Sequence, residues 1–178
     1  SLLGKIMKKI LILFLVSVST IAHSSECQYL KDTYNLSDSQ IHNLRISHEL
    51  AGDTGMGNIL AAISFYESSA GINLVNKNDP SAGHHHILLS HALSYFDLEA
   101  TKENIRFVED ALIHNVGLSA HIALQELGWW LNRHKGDLFK AIRSYNQGYY
   151  WRLKSRKERT RSYNYAIKVI KKANEVEK

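Results

Sequence analysis

Residues 59–71 read I-L-A-A-I-S-F-Y-E-S-S-A-G, an apolar segment that closes on one carboxylic acid, Glu67. The apolar residues before Glu67 favour a buried helix ending near Ser69, and Gly71 is a typical helix stop. Glu67 is the only acid between residues 56 and 74. A carboxyl group in this position is partly removed from water, which favours its protonated form and suits a general acid. The alternative is an ordinary surface glutamate at a helix end.

Helical periodicity recurs along the rest of the chain, whereas alternating β-branched runs are missing. Ser37 or Asp38 can cap a helix that runs to about Leu50. Residues 72–83 are rich in turn-forming residues and contain the single proline, so they are predicted to form a loop. Nothing marks a linker or a repeat. We therefore predict one compact all-α domain, with further helices at about 84–95, 102–114, 117–134, 137–146 and 161–175.

Three more motifs follow the Glu67-Ser68 pair in order. Residues 81–87 read S-A-G-H-H-H-I and begin 14 residues after Glu67. Residues 144–148 read S-Y-N-Q-G after a predicted helix, and residues 165–169 read Y-A-I-K-V. Each motif is weak alone, because Glu-Ser pairs and Tyr-Asn-x-Gly turns are common. Their order in one helical chain of this length carries the hypothesis.

Together these four motifs resemble those of the transglycosylase SLT family, the soluble lytic transglycosylases, whose fold is related to goose-type lysozyme. The resemblance covers about residues 55–172. It implies a lysozyme-like helical domain that cleaves the β-1,4 bond between N-acetylmuramic acid and N-acetylglucosamine in peptidoglycan. The implied product carries 1,6-anhydro-N-acetylmuramic acid, and no cofactor is implied.

The resemblance also implies the site residues, with Glu67 as the catalytic acid/base. His86 stands where the family's Ser-x-Gly-x-x-Gln loop has glutamine; histidine also donates and accepts hydrogen bonds, and it can make activity depend on pH. The loop's Gly83 would let the backbone approach the sugar. Gln147 replaces a small residue of the family's A-Y-N-A-G motif. The residues implied to contact substrate are Ser68, Ser81, Gly83, His86, Tyr145, Asn146 and Tyr165, the last closing the back of the site near Glu67.

The three consecutive histidines, residues 84–86, also suggest a metal site. Consecutive residues on a helix point about 100° apart, so they do not converge on one ion. We therefore expect no metal, with His86 in the cleft and His84 and His85 in loop or cap positions.

Other chemical groups have simpler interpretations. At least one of Trp129 and Trp130 is expected in the core, and Trp151 is the better candidate for the cleft rim. Asp79 is explained by its turn before Pro80. Since a hydrolase needs a second carboxylate, the lack of another acid with a strong claim favours a transglycosylase over a water-using muramidase.

The N-terminal segment, residues 1–24, has the layout of a secretory signal peptide that starts at Met7. Its apolar run, residues 10–18, is shorter than the ~20 residues that span a bilayer, which disfavours the alternative of a membrane anchor. Residues 25–178 are then the mature lytic transglycosylase domain, exported to the periplasm and without stable membrane insertion after cleavage. Cys27 is the only cysteine and is interpreted as non-catalytic, because it has no partner within the chain.

Charge is divided unevenly along the chain. Residues 25–150 carry 9 basic and 14 acidic residues, a net −5, whereas residues 151–178 carry 10 and 3, a net +7. The basic tail can contact an anionic polymer, membrane or wall, or be the solvated face of a terminal helix. No nucleic acid is expected as a partner, because no binding motif is present. The expected partner is the peptidoglycan glycan strand. The alternative is a non-catalytic wall-binding or assembly component of a secretion, conjugation or phage apparatus.

Overall fold

A computed structural model describes residues 31–76 and 78–176; the predicted signal peptide and Cys27 lie outside these residues. Apart from a small sheet, the described chain is all-α, as predicted. Short 3-10 helices lie at Gly52–Thr54 and Tyr149–Leu153. Residues 31–34 are also helical. The other α-helices of the described residues are α1 Asp38–Leu50, α2 Gly57–Ser68, α3 Leu89–Phe96, α4 Lys102–His114, α5 Val116–Arg133, α6 Leu138–Gln147 and α7 Arg156–Val176, and the strands are β1 Val75–Asn76, β2 Ser81–Ala82 and β3 Ile87–Leu88.

Helix α2 occupies the centre of the fold. Its side chains Leu60 and Ile63 are fully buried, and it packs against α1, α5 and α7. A helix that is apolar on most sides needs neighbours on most sides. The sequence prediction of this helix and of its end near Ser69 is confirmed, and Glu67 lies in its last turn.

Hydrogen-bonded boxes define the starts of two helices. Ser37 and Gln40 form a capping box before α1, which confirms the predicted start. Before α7, the backbone N–H of Ser155 donates to Glu158 Oε2 at 3.1 Å, and the Glu158 N–H donates to Ser155 Oγ at 3.3 Å. Helix α7 therefore begins at Arg156, earlier than the predicted start near residue 161.

The predicted loop at 72–83 is confirmed except for two short strands within it, and the predicted helix start near 84 is wrong. Strands β1, β2 and β3 form an antiparallel sheet in that order, with Val75 opposite Ala82 and Ala82 opposite Ile87. A turn reverses the chain between β2 and β3, so that α3 begins only at Leu89. Strands of two residues are too short to produce a visible alternation in sequence.

A shared apolar core brings the motif-bearing elements together. Ile63 of α2, Leu127 of α5, Ile142 of α6 and Val169 of α7 belong to one buried cluster. Helix α7 packs on both α2 and α6, and α6 packs on α5. Among the helices of the described ranges, none is long and apolar enough to cross a bilayer.

Candidate active site

A cleft of about 700 Å³ opens between the small sheet and the C-terminal parts of helices α2, α5 and α6. Residues of α3, α7 and the segment before α7 complete its lining. Many of the lining side chains are ionisable, so the cleft is suited to a polar ligand. The acids are Glu67, Asp79, Glu126 and Glu158, and the bases are His86, His91, Lys154 and Arg161.

Glu67 is held in this cleft by contacts to both carboxylate oxygens. The Tyr165 hydroxyl of α7 donates to Oε1 at 2.5 Å. His86 Nδ1 lies 3.4 Å from Oε2, and the Glu67 and His86 side chains are only 17% and 11% exposed. The carboxyl group is therefore fixed in orientation while part of it still faces the cleft.

The second nitrogen of His86 fixes the protonation pattern of the pair. Nε2 lies 2.7 Å from the backbone carbonyl oxygen of Asn73, and because a carbonyl can only accept, Nε2 carries a proton. Nδ1 then carries a proton only when the ring is charged. A hydrogen bond between Nδ1 and Glu67 Oε2 therefore needs one further proton, which resides on either the imidazole or the carboxyl group.

The surroundings favour the charged form of His86. Burial lowers its pKa, but the hydrogen bonds to Glu67 and to the Asn73 carbonyl, with the negative charges of Glu67 and Asp79, outweigh burial and raise the pKa above its usual value. His86 also adopts a left-handed backbone, φ +46°, which costs about 1–3 kcal/mol for a non-glycine residue.

Two buried tyrosines stand beside the carboxyl group as protonated donors. Burial, followed by the charge of Glu67, raises the pKa of Tyr165 well above 10. Burial and the charges of Glu126 and Glu67 do the same for Tyr145, whose hydroxyl donates to the backbone carbonyl of His85 at 2.9 Å. Both hydroxyls therefore keep their protons at neutral pH.

The predicted substrate residues divide into two groups. Ser81, His86, Tyr145 and Asn146 line the cleft together with Glu67, and Tyr165 bonds to Glu67.

Ser68 and Gly83 are not among the lining residues, and the structure gives each a different role. Ser68 is fully buried; its hydroxyl donates to the carbonyl of His84 at 2.8 Å and accepts from the N–H of Gly71 at 2.9 Å. The hydrogen bond to His84 therefore connects α2 to the turn that contains the three histidines, residues 84–86. Gly83 has φ +83°, and a Cβ there would lie 2.8 Å from the Leu112 carbonyl oxygen. The close approach that Gly83 permits is thus to α4, not to a sugar.

The predicted loop positions of His84 and His85 are confirmed, whereas the expected position of Trp151 is corrected. His84 and His85 lie in the turn between β2 and β3, and both are buried, 6% and 0% exposed. Trp151 is 7% exposed and donates its indole N–H to Ser144 Oγ at 3.0 Å, so it belongs to the core and not to the rim. Trp130 is buried and Trp129 is exposed, which confirms that one of this pair is core.

Glu126 is a second carboxylate in the same cleft and is not among the residues predicted from the sequence. Its oxygens lie 3.2 Å from His91 Nδ1 and 3.4 Å from Trp130 Nε1. The available signal was the one that singled out Glu67, because Glu126 is the only acid in the apolar segment from 116 to 133. Within the described ranges, no three Asp, Glu, His or Cys side chains are grouped so as to hold a metal ion.

The chain is similar in sequence to a bacteriophage protein. The uncharacterized 20.7 kDa protein in the vs-regB intergenic region of Enterobacteria phage T4 is 32% identical over an alignment of 193 residues, which covers 94% of this chain and 93% of the relative. No protein-family model matches the chain, and no solved structure matches it significantly.

Proposed function

This chain belongs to the same family as the uncharacterized 20.7 kDa protein of Enterobacteria phage T4, and we propose that it is a peptidoglycan lytic transglycosylase with a lysozyme-like arrangement of helices. The observation that carries the proposal is the carboxyl group of Glu67 in the cleft, oriented by Tyr165 and by a histidine that shares its proton. The four motifs that resemble the SLT family contribute this carboxyl group and both of its partners.

The proposed reaction needs one group that first gives and then takes a proton. Glu67 protonates the glycosidic oxygen as its bond to the anomeric carbon breaks, and the bonding electrons stay with that oxygen. The resulting carboxylate takes the proton of the muramic acid 6-hydroxyl, whose oxygen forms the new bond to the anomeric carbon. Glu67 ends protonated, ready for the next cycle.

His86 and Tyr165 would prepare Glu67 for both steps. The Tyr165 hydroxyl stabilises the carboxylate left after the first proton transfer, because hydrogen bonds to an ionised acceptor are stronger than those to a neutral one. His86 holds a proton next to Oε2, which makes a proton available to the carboxyl group. The cleft has a volume of about 700 Å³, and Ser81, Tyr145 and Asn146 line it together with Glu67.

The proposed setting is the periplasm, with peptidoglycan strands as the partner. Opening the wall is a task that an envelope-crossing apparatus needs, and the phage T4 protein is a relative of this chain, which favours a phage apparatus over a secretion or conjugation system. A protein of the same fold that binds the wall without cutting it is the non-catalytic alternative.

A second candidate function is a muramidase that uses water. The observation that favours it is Glu126, because a hydrolase needs a second carboxylate in the cleft as a nucleophile or water-activating base. Both candidates would act on the same substrate and use Glu67 as the acid. They differ in the end group of the product, which is an anhydro sugar for the transglycosylase and a reducing sugar for the muramidase.

Digestion of purified peptidoglycan sacculi tests the proposal. We expect the purified protein to release soluble glycan fragments, and Glu67→Gln to release none while unfolding at a similar temperature, since the change keeps size and removes the titratable proton. Glu99→Gln is the matched control, because Glu99 is exposed and lies outside the cleft. Normal release by Glu67→Gln would overturn the assignment of the acid, and no release by the wild type would favour the non-catalytic alternative.

A further inference from the structure

Glu126 is held in the cleft in the same manner as Glu67, although it belongs to none of the four motifs. Each carboxylate has one oxygen near a histidine Nδ1 and the other near an aromatic donor: His91 and Trp130 for Glu126, His86 and Tyr165 for Glu67. The Glu126 side chain is 15% exposed. Its orientation is therefore fixed, and the lone pairs that His91 and Trp130 leave unused are available to a ligand.

The surroundings favour the charged form of His91. The hydrogen bond to Glu126 raises the pKa of His91, burial opposes this, and the negative charge of Glu126 adds to the rise. A carboxylate is a good hydrogen-bond acceptor, and the proposed reaction needs no second carboxylate. This favours a binding role for Glu126 over the activation of water.

Two further acceptors in the cleft lack partners. The amide oxygens Oδ1 of Asn146 and Oε1 of Gln147 are buried, and no hydrogen bond reaches them within the part of the chain that the structure describes. Both residues line the cleft with Glu126. A buried acceptor without a donor costs free energy, so donors from a bound ligand would satisfy these atoms. Gln147 is also the position at which this chain departs from the small residue of the SLT motif.

We propose that Glu126, Asn146 and Gln147 form a subsite for an N-acetylated sugar unit, whose hydroxyl and acetamido N–H groups supply the missing donors. The inference rests on the proposed function, which gives the glycan strand as the substrate. It adds the residues that would bind one sugar unit of that strand. An anionic group is disfavoured here, because the charge of Glu126 would repel it. Glu126 and Gln147 thus select the sugar while Glu67 performs the chemistry.

Saccharide binding in a non-cleaving background tests the subsite directly. In Glu67→Gln protein, we would measure Kd for chitotetraose and for peptide-free glycan strands by calorimetry, then add Glu126→Gln, Gln147→Ala or the control Glu99→Gln. We expect Glu126→Gln and Gln147→Ala each to weaken binding about 10-fold, the loss typical of a hydrogen bond to a ligand, and Glu99→Gln to leave Kd unchanged. Gln147→Ala removes an acceptor that has no partner, so it does not endanger folding.

The outcomes separate this inference from the proposed function. If Glu67→Gln binds the glycans and neither subsite substitution weakens binding, the subsite is overturned while the glycan-cleaving assignment stands. If no variant binds either saccharide, the subsite is overturned, and sacculus digestion by the wild type decides the proposed function separately. On sacculi, Glu126→Gln should raise KM about 10-fold with little change in kcat; a collapse of kcat at constant KM would instead make Glu126 a base.

Discussion

The Tyr165 hydroxyl donates a 2.5 Å hydrogen bond to Oε1 of Glu67 across 98 residues of sequence. Helices α2 and α7 pack directly on each other, so the distance between these side chains is set by the core and not by a mobile loop. With Oε1 engaged by a donor, Oε2 is the oxygen that faces His86. The two oxygens of the carboxyl group therefore have different surroundings: Oε1 accepts a hydrogen bond from Tyr165, and Oε2 faces the imidazole of His86.

Removing this hydrogen bond should slow the reaction without unfolding the protein. We expect Tyr165→Phe to lower kcat about 10-fold or more, because a hydrogen bond to a charged group is worth about 1.5–3 kcal/mol and about 1.4 kcal/mol is a factor of ten in rate. The measurement is the initial rate of fragment release from sacculi. Tyr163→Phe, on the exposed side of the same helix, is the control; equal rates for both variants would show that Tyr165 only fills space.

The parts of this site that the sequence predicted are those with a local signature. Glu67 ends an apolar helix, and the motif containing Tyr165 follows at the expected distance in the chain. Glu126 went unnoticed because its importance depends on His91 of α3, which meets it only in the folded chain; Trp130, its other partner, lies four residues further along the same helix. Spacing along a chain does not reveal which acid two helices will enclose.

Burial was the other property that the sequence did not reveal. Ser68 was predicted to contact the substrate because it follows Glu67 in the sequence. In the structure its side chain points inward, and its hydroxyl donates to the backbone carbonyl of His84. Trp151 reads as a rim aromatic beside two exposed tyrosines, yet its ring lies against the Arg143 guanidinium, 3.5 Å from the ring centroid. Neighbours in sequence on a helix or turn face different directions, and only the packed structure fixes which one reaches the cleft.

Substitution of His86 should distinguish hydrogen bonding from simple filling of space. We expect His86→Gln to retain activity within about 10-fold of the wild type, and His86→Ala to lose about 10-fold more, because an amide can still donate to Glu67 or to the Asn73 carbonyl. Rates on sacculi at one pH are sufficient. If a chelator abolished wild-type activity and zinc restored it, a metal role for the histidines would replace this interpretation.

The pH dependence of activity should report the Glu67–His86 pair. Because the folded-state pKa of His86 is raised, the shared proton is present at low pH and is lost as pH rises through that pKa. We expect wild-type activity to fall on this alkaline side, and the fall to move or disappear in His86→Gln. The stability that the pair contributes follows the same sign: complete below the unfolded value of about 6.5 and lost at higher pH. If His86→Gln left the alkaline fall in activity unchanged, His86 would not be the group whose loss of a proton causes it.

The neighbouring His85 should make the fold sensitive to acid. Burial, then the charges of His84 and His86, lower its pKa to about 3, so the folded protein keeps it neutral while the unfolded chain takes up a proton below about 6.5. Each pH unit between these values should therefore cost about 1.4 kcal/mol of unfolding free energy. We expect denaturant titrations to show a shallower loss of stability in His85→Gln. His114→Gln, at an exposed position, should keep the wild-type slope.

The products decide between a transglycosylase and a hydrolase. We expect released strands to end in 1,6-anhydro-N-acetylmuramic acid, detected by mass spectrometry as fragments lighter by one water. Glu126 is a second carboxylate in the cleft, but its two oxygens already contact His91 Nδ1 at 3.2 Å and Trp130 Nε1 at 3.4 Å. The muramic acid 6-hydroxyl, by contrast, is tethered beside the reacting carbon, and such intramolecular attack has a large effective concentration. The substrate's own N-acetyl group can stabilise the positive charge that forms there. Fragments that retain the water and are reduced by borohydride would make the protein a muramidase, with Glu126 as the group that activates water.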